Sequence, residues 1–254
     1  MRICAILAAV AGAFVVGCGQ GATSLLDGGD SEQGREVTLR FKPPQGYSCT
    51  YRLIDDFKIP KLGDDVVTGN PGAERMLSQE HRVTTETLID FRVVSSSPES
   101  IAAVVHVRRV GASGSGVFEG AGSGAYWEDR ERQRFYNELY ERLDVDEQMD
   151  EFGEFIIPFP REAMRIGRPF KARQEAFGRE FSLEYVAEAI EQVKGKETVR
   201  IALRVVNDEN EVVSVMQRAW YELDTGILVK GEVRVSVDPF DTGEMSSWRI
   251  VERL

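Results

Sequence analysis

The chain has 254 residues, 42 acidic against 31 basic side chains, and a formal charge of −11. An acidic surface of this kind repels nucleic acid and anionic headgroups, and no run of basic residues interrupts it, so phosphate-backbone binding is excluded and solubility is favoured. The length past the first few dozen residues suffices for one domain with a sizeable core and no covalent staples.

Met1-Arg2 forms a short positive start, and residues 3–16 are an apolar stretch shorter than the roughly 20 residues a spanning helix needs, as in a secretory leader. That stretch closes on Val15-Val16-Gly17-Cys18, which resembles the lipobox of bacterial lipoproteins. The resemblance implies that residues 1–17 are a signal peptide cut before Cys18, and that Cys18 carries the lipid on its sulfur. Residues 18–35 then form a flexible tether, rich in Gly, Ser, Asp and Gln, and the partner implied is a membrane of the cell envelope, facing the periplasm or the exterior. Gly19 stands where some members of that family carry an aspartate that retains them in the inner membrane, which points toward an outer-membrane destination. Of the three cysteines, Cys4 leaves with the leader and Cys18 is consumed by lipid. Cys49 then has no intramolecular partner and reads as a buried small hydrophobe.

Residues 36–254 read as a single β-rich domain. Val37, Leu39 and Phe41 alternate with Thr38, Arg40 and Lys42, and after Pro43-Pro44-Gln45-Gly46 the alternation resumes with Tyr47, Cys49, Tyr51 and Leu53. These two runs are expected to be neighbouring antiparallel strands. A polar loop over residues 60–73 leads to a long hairpin formed by residues 81–93 and 101–110. The Gly/Ser segment 111–124 fits no phosphate-binding fingerprint and is expected to be a flexible connection.

Residues 127–143 are expected to form the one clear helix. Tyr136, Leu139, Tyr140 and Leu143 fall at i, i+3, i+4 and i+7, and Glu128, Asp129 and Glu131 occupy the first turn, where the helix dipole favours negative charge. Asp144, Asp146, Gln148 and Asp150 suggest a calcium loop, but Met149 replaces the glycine of the sharp turn and Phe155 the closing glutamate, so a solvated acidic loop is expected and no metal. Residues 155–160 read as a short strand stopped by prolines, and 162–166 as a helical turn. Residues 180–193 fit both helical and strand spacing. The strand is preferred because Lys194-Gly195 provides a tight turn into the strand at 199–205. Strands at 212–223, 227–237 and 248–251 complete the chain.

About ten strands joined by short turns around one helix describe a mainly β fold, a large antiparallel curved sheet packed on an inserted helix; the alternative is a two-sheet sandwich. The lipobox, the paired strands and the Asp224-Thr225-Gly226 hairpin together resemble the lipoprotein localisation factor superfamily, with its half-barrel. That resemblance implies a non-enzymatic protein that encloses an apolar or lipid ligand, with Tyr136, Leu139, Tyr140 and Leu143 as ligand-facing residues. The rival is an envelope interaction module with a filled core. His81 and His106 belong to no metal-ligand spacing, no nucleophile elbow occurs, and no pair of carboxylates stands out, so neither a catalytic site nor a cofactor is expected.

Overall fold

The computed structural model describes residues 34–61, 78–116, 129–144, 155–176, 179–204, 213–237 and 245–254. They form β1 (Glu36–Val37), β2 (Ser48–Ile59), β3 (His81–Ser96), β4 (Ile101–Ser115), β5 (Arg130–Tyr136), β6 (Met164–Arg165), β7 (Pro169–Ala176), β8 (Arg179–Val193), β9 (Lys196–Arg204), β10 (Val213–Glu222), β11 (Leu228–Val237) and β12 (Met245–Arg253). No α-helix occurs among the described residues.

Two antiparallel meanders, β2 to β5 and β7 to β12, join where β12 pairs with β2. The resulting ten-stranded sheet has the order β5-β4-β3-β2-β12-β11-β10-β9-β8-β7. The sheet is not closed into a barrel; β5 and β7 are its edges. The alternation seen in the sequence sets the register. Tyr51 lies opposite Ile89, Leu53 opposite Thr87 and Val251 opposite Leu53, so one face collects the apolar set while Arg52, Asp56 and Glu86 turn to the other. This apolar side is called the inner face below. On the outer face Trp220 packs beneath Lys230, whose Nζ lies 4.8 Å from the indole centre, and charged pairs such as Arg200–Glu188 at 2.7 Å run between strands. Pairs of this exposure contribute little each.

Because β5 and β7 sit at opposite edges, the chain between them must cross the whole width of the sheet. Its described residues 155–160 lie on the inner face. Phe155, Ile157 and Phe159 are buried there beneath no regular structure of their own, and we refer to residues 155–160 as the strap. Its seat is Gly231 of β11. A Cβ at that position would stand 2.7 Å from Phe155 Cδ1 and 2.9 Å from Val251 Cγ1, so only glycine lets the phenyl ring come down onto the strand.

The N-terminal segment crosses the same face. Val37, Leu39 and Phe41 are buried as their spacing predicts, but the segment does not neighbour β2. Glu36 and Val37 pair instead with Arg165 and Met164 of β6, and the backbone N–H groups of Phe41 and Lys42 donate to the carbonyls of Glu138 and Thr225. Residues 162–166, expected as a helical turn, run from a bend through β6 into a turn, and residues 156–160, expected as a short strand, belong to no strand, although the Phe159 N–H donates to the Leu139 carbonyl.

The largest correction concerns the expected helix at 127–143. Residues 130–136 are edge strand β5, followed by a turn and an isolated bridge between Tyr136 and Arg142; residues 127 and 128 lie outside the described residues. Among the described residues the architecture is therefore mainly β, a ten-stranded antiparallel sheet and the small two-stranded sheet of β1 and β6, without the inserted helix. The strand reading of 180–193 holds. Lys194 and Gly195 both have positive φ, 52° and 73°, and join Val193 to its partner Lys196 as a two-residue hairpin whose twist matches the strands. The Gly/Ser segment is shorter than expected, since β4 runs on through Ser115; its continuation past 116, the loop at 62–73 and the acidic residues 145–154 lie outside the described residues.

Where the C-terminus closes the sheet, Arg253 Nη2 lies 2.6 Å from Glu222 Oε1, with both side chains largely buried. Burial opposes ionisation of Glu222. Hydrogen bonds from Thr225 and Arg253 and the charges of Arg253 and Lys196 outweigh it, and the carboxyl is held below its ordinary value. A folded-state pKa below the unfolded one contributes stability above the unfolded pKa that is lost as pH falls through the folded value. Acidification from neutrality to about pH 3 should therefore lower the urea midpoint, and Glu222→Gln should make that decline shallower. An equal decline in parent and variant would remove Glu222 from the acid response.

Candidate functional site

Two of the four residues assigned to the ligand-facing stripe, Tyr136 and Tyr140, come together in the core, and they do so by a route other than helical spacing. Tyr136 ends β5, and the turn after it is organised by Asn137, whose Oδ1 accepts from the N–H groups of Leu139 and Glu141 and whose Nδ2 donates to Glu141. Tyr140 takes a left-handed backbone conformation, φ 61°. That conformation swings its ring back under the sheet, flat against Phe41 with centroids 3.8 Å apart and planes 5° from parallel.

Tyr136 meets both rings edge-on, at 5.6 Å from Phe41 and 5.4 Å from Tyr140. Phe159 of the strap and Tyr221 of β10 complete the cluster, 5.0 Å apart and nearly perpendicular. Tyr136 and Tyr140 are fully buried and Leu139 nearly so, whereas Leu143 is 47% exposed beyond the turn. The stripe is thus core packing shared by the N-terminal segment, the edge strand and the strap. Tyr221 is pinned at its hydroxyl, which donates to the Phe155 carbonyl at 2.9 Å and accepts from the Ile157 N–H at 2.7 Å. Burial pushes its phenol far above the ordinary range.

Beyond the strap, the inner face changes character. Along β3, Ile89, Phe91 and Val93 are sealed, while Val83, Thr85 and Thr87 further along the same face are half-buried. A polar band begins there. Asp55 of β2 pairs with Arg249 of β12 at 3.0 Å. Arg109 of β4 lies opposite Thr87, its guanidinium pushed down by burial and supported in part by the Asp55 charge. In β5, Arg130, Arg132 and Arg134 share the face of Tyr136 and lie opposite Val107, Val105 and Ala103. Arg134 is buried and held by Asp144 at 2.9 Å, a carboxylate that Arg142 also reaches at 3.2 Å. The sequence reading missed this band. The available signal was the alternation Arg130, Arg132, Arg134, Tyr136, masked because arginine at an inward position is not counted as core.

His106 lies opposite Asp90, its Nδ1 3.8 Å from that carboxylate, while His81 is fully buried at the start of β3. Cys49, expected to be buried, is half-buried, and burial pushes its thiol up against hydrogen bonds with Tyr47 and Tyr51. Among the described residues, no group of three His, Cys, Asp or Glu side chains is placed to hold a metal ion, and no helix is long and apolar enough to cross a membrane. Cys18 lies outside the described residues. No protein-family profile matches the chain, and no curated protein matches its sequence.

Proposed function

We propose that the protein is an exported lipoprotein, anchored to an envelope membrane through Cys18, whose sheet curves as a half-barrel and holds an apolar or lipid ligand without catalysing a reaction. The address rests on the apolar leader ending in Val15-Val16-Gly17-Cys18 and its resemblance to the lipobox. The observation that carries the ligand reading is the unequal burial of one sheet face: sealed at Tyr51, Ile89 and Phe91, half-buried at Phe57, Val83 and Val107 further along. An apolar face with a few polar groups at its margin is the usual chemistry of a small-ligand site. The ligand thus belongs on the far half of β2 to β4 and not on Tyr136, Leu139 and Tyr140.

The rival reading is an interaction module without ligand, and the close packing of Tyr140 on Phe41 supports it, because a core filled with side chains leaves that end nothing to enclose. Native mass spectrometry of protein purified without detergent separates the two. The carrier reading expects co-purifying lipid, or added fatty acid bound with defined stoichiometry, and a protein that takes up neither leaves the interaction module. The anchor is tested apart from the ligand. Cys18→Ala should shift the protein from the membrane to the soluble fraction, and a variant that still sediments with membranes would overturn the lipidation.

A further inference from the structure

The register of the large sheet assembles an apolar line that no single strand displays. Val215 of β10 lies opposite Val235 of β11, Val235 opposite Ser247 of β12, and Ser247 opposite Phe57 of β2. Phe57 lies opposite Val83 of β3, and Val83 opposite Gly114 of β4. The line is on the inner face, because Phe57 is in step with Tyr51 and Leu53 along β2, and it crosses the strands instead of following them. It carries no charge. Val215, Val235, Phe57 and Val83 are half-buried, Gly114 is exposed, and Ser247 is buried between Val235 and Phe57.

Its two flanks differ from it. Two residues along each strand toward the strap, the neighbouring line holds Gln217, Val233, Arg249, Asp55 and Thr85, polar at all but Val233. Two residues the other way, Met245, Ile59 and His81 are sealed. An apolar ligand running along the strands toward the strap would have to cover the Arg249–Asp55 pair, which is 3.0 Å apart, and taking a pair of charges further out of water is costly. A ligand laid across the strands meets only valine, phenylalanine, serine and glycine.

The length of the line selects the ligand. Neighbouring strands are about 4.8 Å apart, so the line from β10 to β4 is roughly 24 Å long. With C–C bonds of about 1.5 Å an extended hydrocarbon advances roughly 1.3 Å per carbon, and a chain of about 16–18 carbons spans that distance. We propose that this line is the floor for one extended acyl chain lying across the strands from β10 to β4. The proposal rests on the carrier reading and adds to it the direction and the length of the ligand.

The test is competition of straight-chain fatty acids, from octanoate to arachidate, against a fluorescent fatty acid on the purified protein. Affinity should rise about three- to fourfold with each added methylene up to about 16–18 carbons and then level off. Val215→Trp blocks the β10 end and Gly114→Trp, made separately, the β4 end. Each ring displaces two methylenes or more, so each variant should weaken palmitate at least about tenfold, whereas decanoate, which fits on what remains of the line, should bind as to the parent. Val107→Trp, on the same face but off the line, should bind palmitate as the parent does. Circular dichroism and the urea midpoint report folding, and the two ends are tested independently, so one variant that fails to fold leaves the other decisive. Loss of palmitate in Val107→Trp with retention in Val215→Trp and Gly114→Trp would mean that the chain runs along β3 and β4, which overturns the crosswise floor while the carrier reading stands. Binding that is indifferent to chain length overturns it in the same way. If no fatty acid binds, the floor falls together with the carrier reading.

Discussion

Tyr140→Ala is expected to lower the stability of the protein by about 3–5 kcal/mol, the range for deleting a buried aromatic side chain from a packed core. The reason is its place at the junction of three segments. Its ring is fully buried, stacks on Phe41 of the N-terminal crossing, and contacts Phe159 of the strap and Tyr221 of β10. The backbone makes a second, separable prediction. At φ 61° any L side chain carries a left-handed penalty of roughly 1–2 kcal/mol, which glycine escapes. Glycine loses more chain entropy on folding, about 0.5–1 kcal/mol relative to alanine. Tyr140→Gly should therefore be no less stable than Tyr140→Ala, the reverse of their order in a helix. Equilibrium urea unfolding measures both. A helix at 127–143 would make glycine clearly the worse of the two, and an alanine variant that loses less than about 1 kcal/mol would remove Tyr140 from the packed core.

The strands were legible where period two was carried by apolar residues. Tyr51, Leu53, Ile89, Phe91 and Val93 announced both the elements and the buried face, and Lys194-Gly195 announced the hairpin that settles residues 180–193 as strand. What sequence spacing could not supply was the partner of each strand. Val37, Leu39 and Phe41 alternate as a strand should and are buried as one should be, yet beyond Val37 the segment joins no ladder. Alternation reports which side chains face the core, and a crossing segment laid on a sheet satisfies it as well as a strand within the sheet.

The helix failed for a related reason. Tyr136, Leu139, Tyr140 and Leu143 match a helical face, and Tyr136 and Tyr140 do meet, but a strand end followed by a turn with one left-handed residue brings those two together just as well. The competing signal was Arg130, Arg132 and Arg134 in step with Tyr136. Hydrophobic patterning discards it because it treats arginine as polar, although three methylenes of stem can be buried when the head finds a carboxylate such as Asp144. The inward-facing arginines of this band were invisible for the same reason. No basic run exists in sequence, and only the pairing of β4 with β5 sets Arg109 beside Arg130.

Tyr221→Phe should cost more than the loss of a hydroxyl that serves a single backbone group. The hydroxyl satisfies two backbone groups of the strap at once, the carbonyl of Phe155 and the N–H of Ile157, in a place closed to water. Leaving a buried group unsatisfied costs about 1–3 kcal/mol each, so a total of roughly 2–4 kcal/mol is expected if both stay dry. Tyr51→Phe provides the comparison. Its hydroxyl is equally buried but serves a single backbone group, the carbonyl of Leu228 at 2.9 Å, beside a hydrogen bond with the Cys49 thiol, and its loss should cost less. The two variants differ also in where the damage appears. The Ile157 amide should exchange with deuterium much faster in Tyr221→Phe than in the parent, because its acceptor is gone and the strap is held over β10 and β11 by that hydroxyl and by the seat of Phe155 on Gly231. In Tyr51→Phe the same amide should keep its protection relative to global unfolding. Unchanged protection at Ile157 in Tyr221→Phe, together with a stability loss below that of Tyr51→Phe, would mean that the strap is held by its phenylalanines alone and that the hydroxyl does not tie it to the sheet.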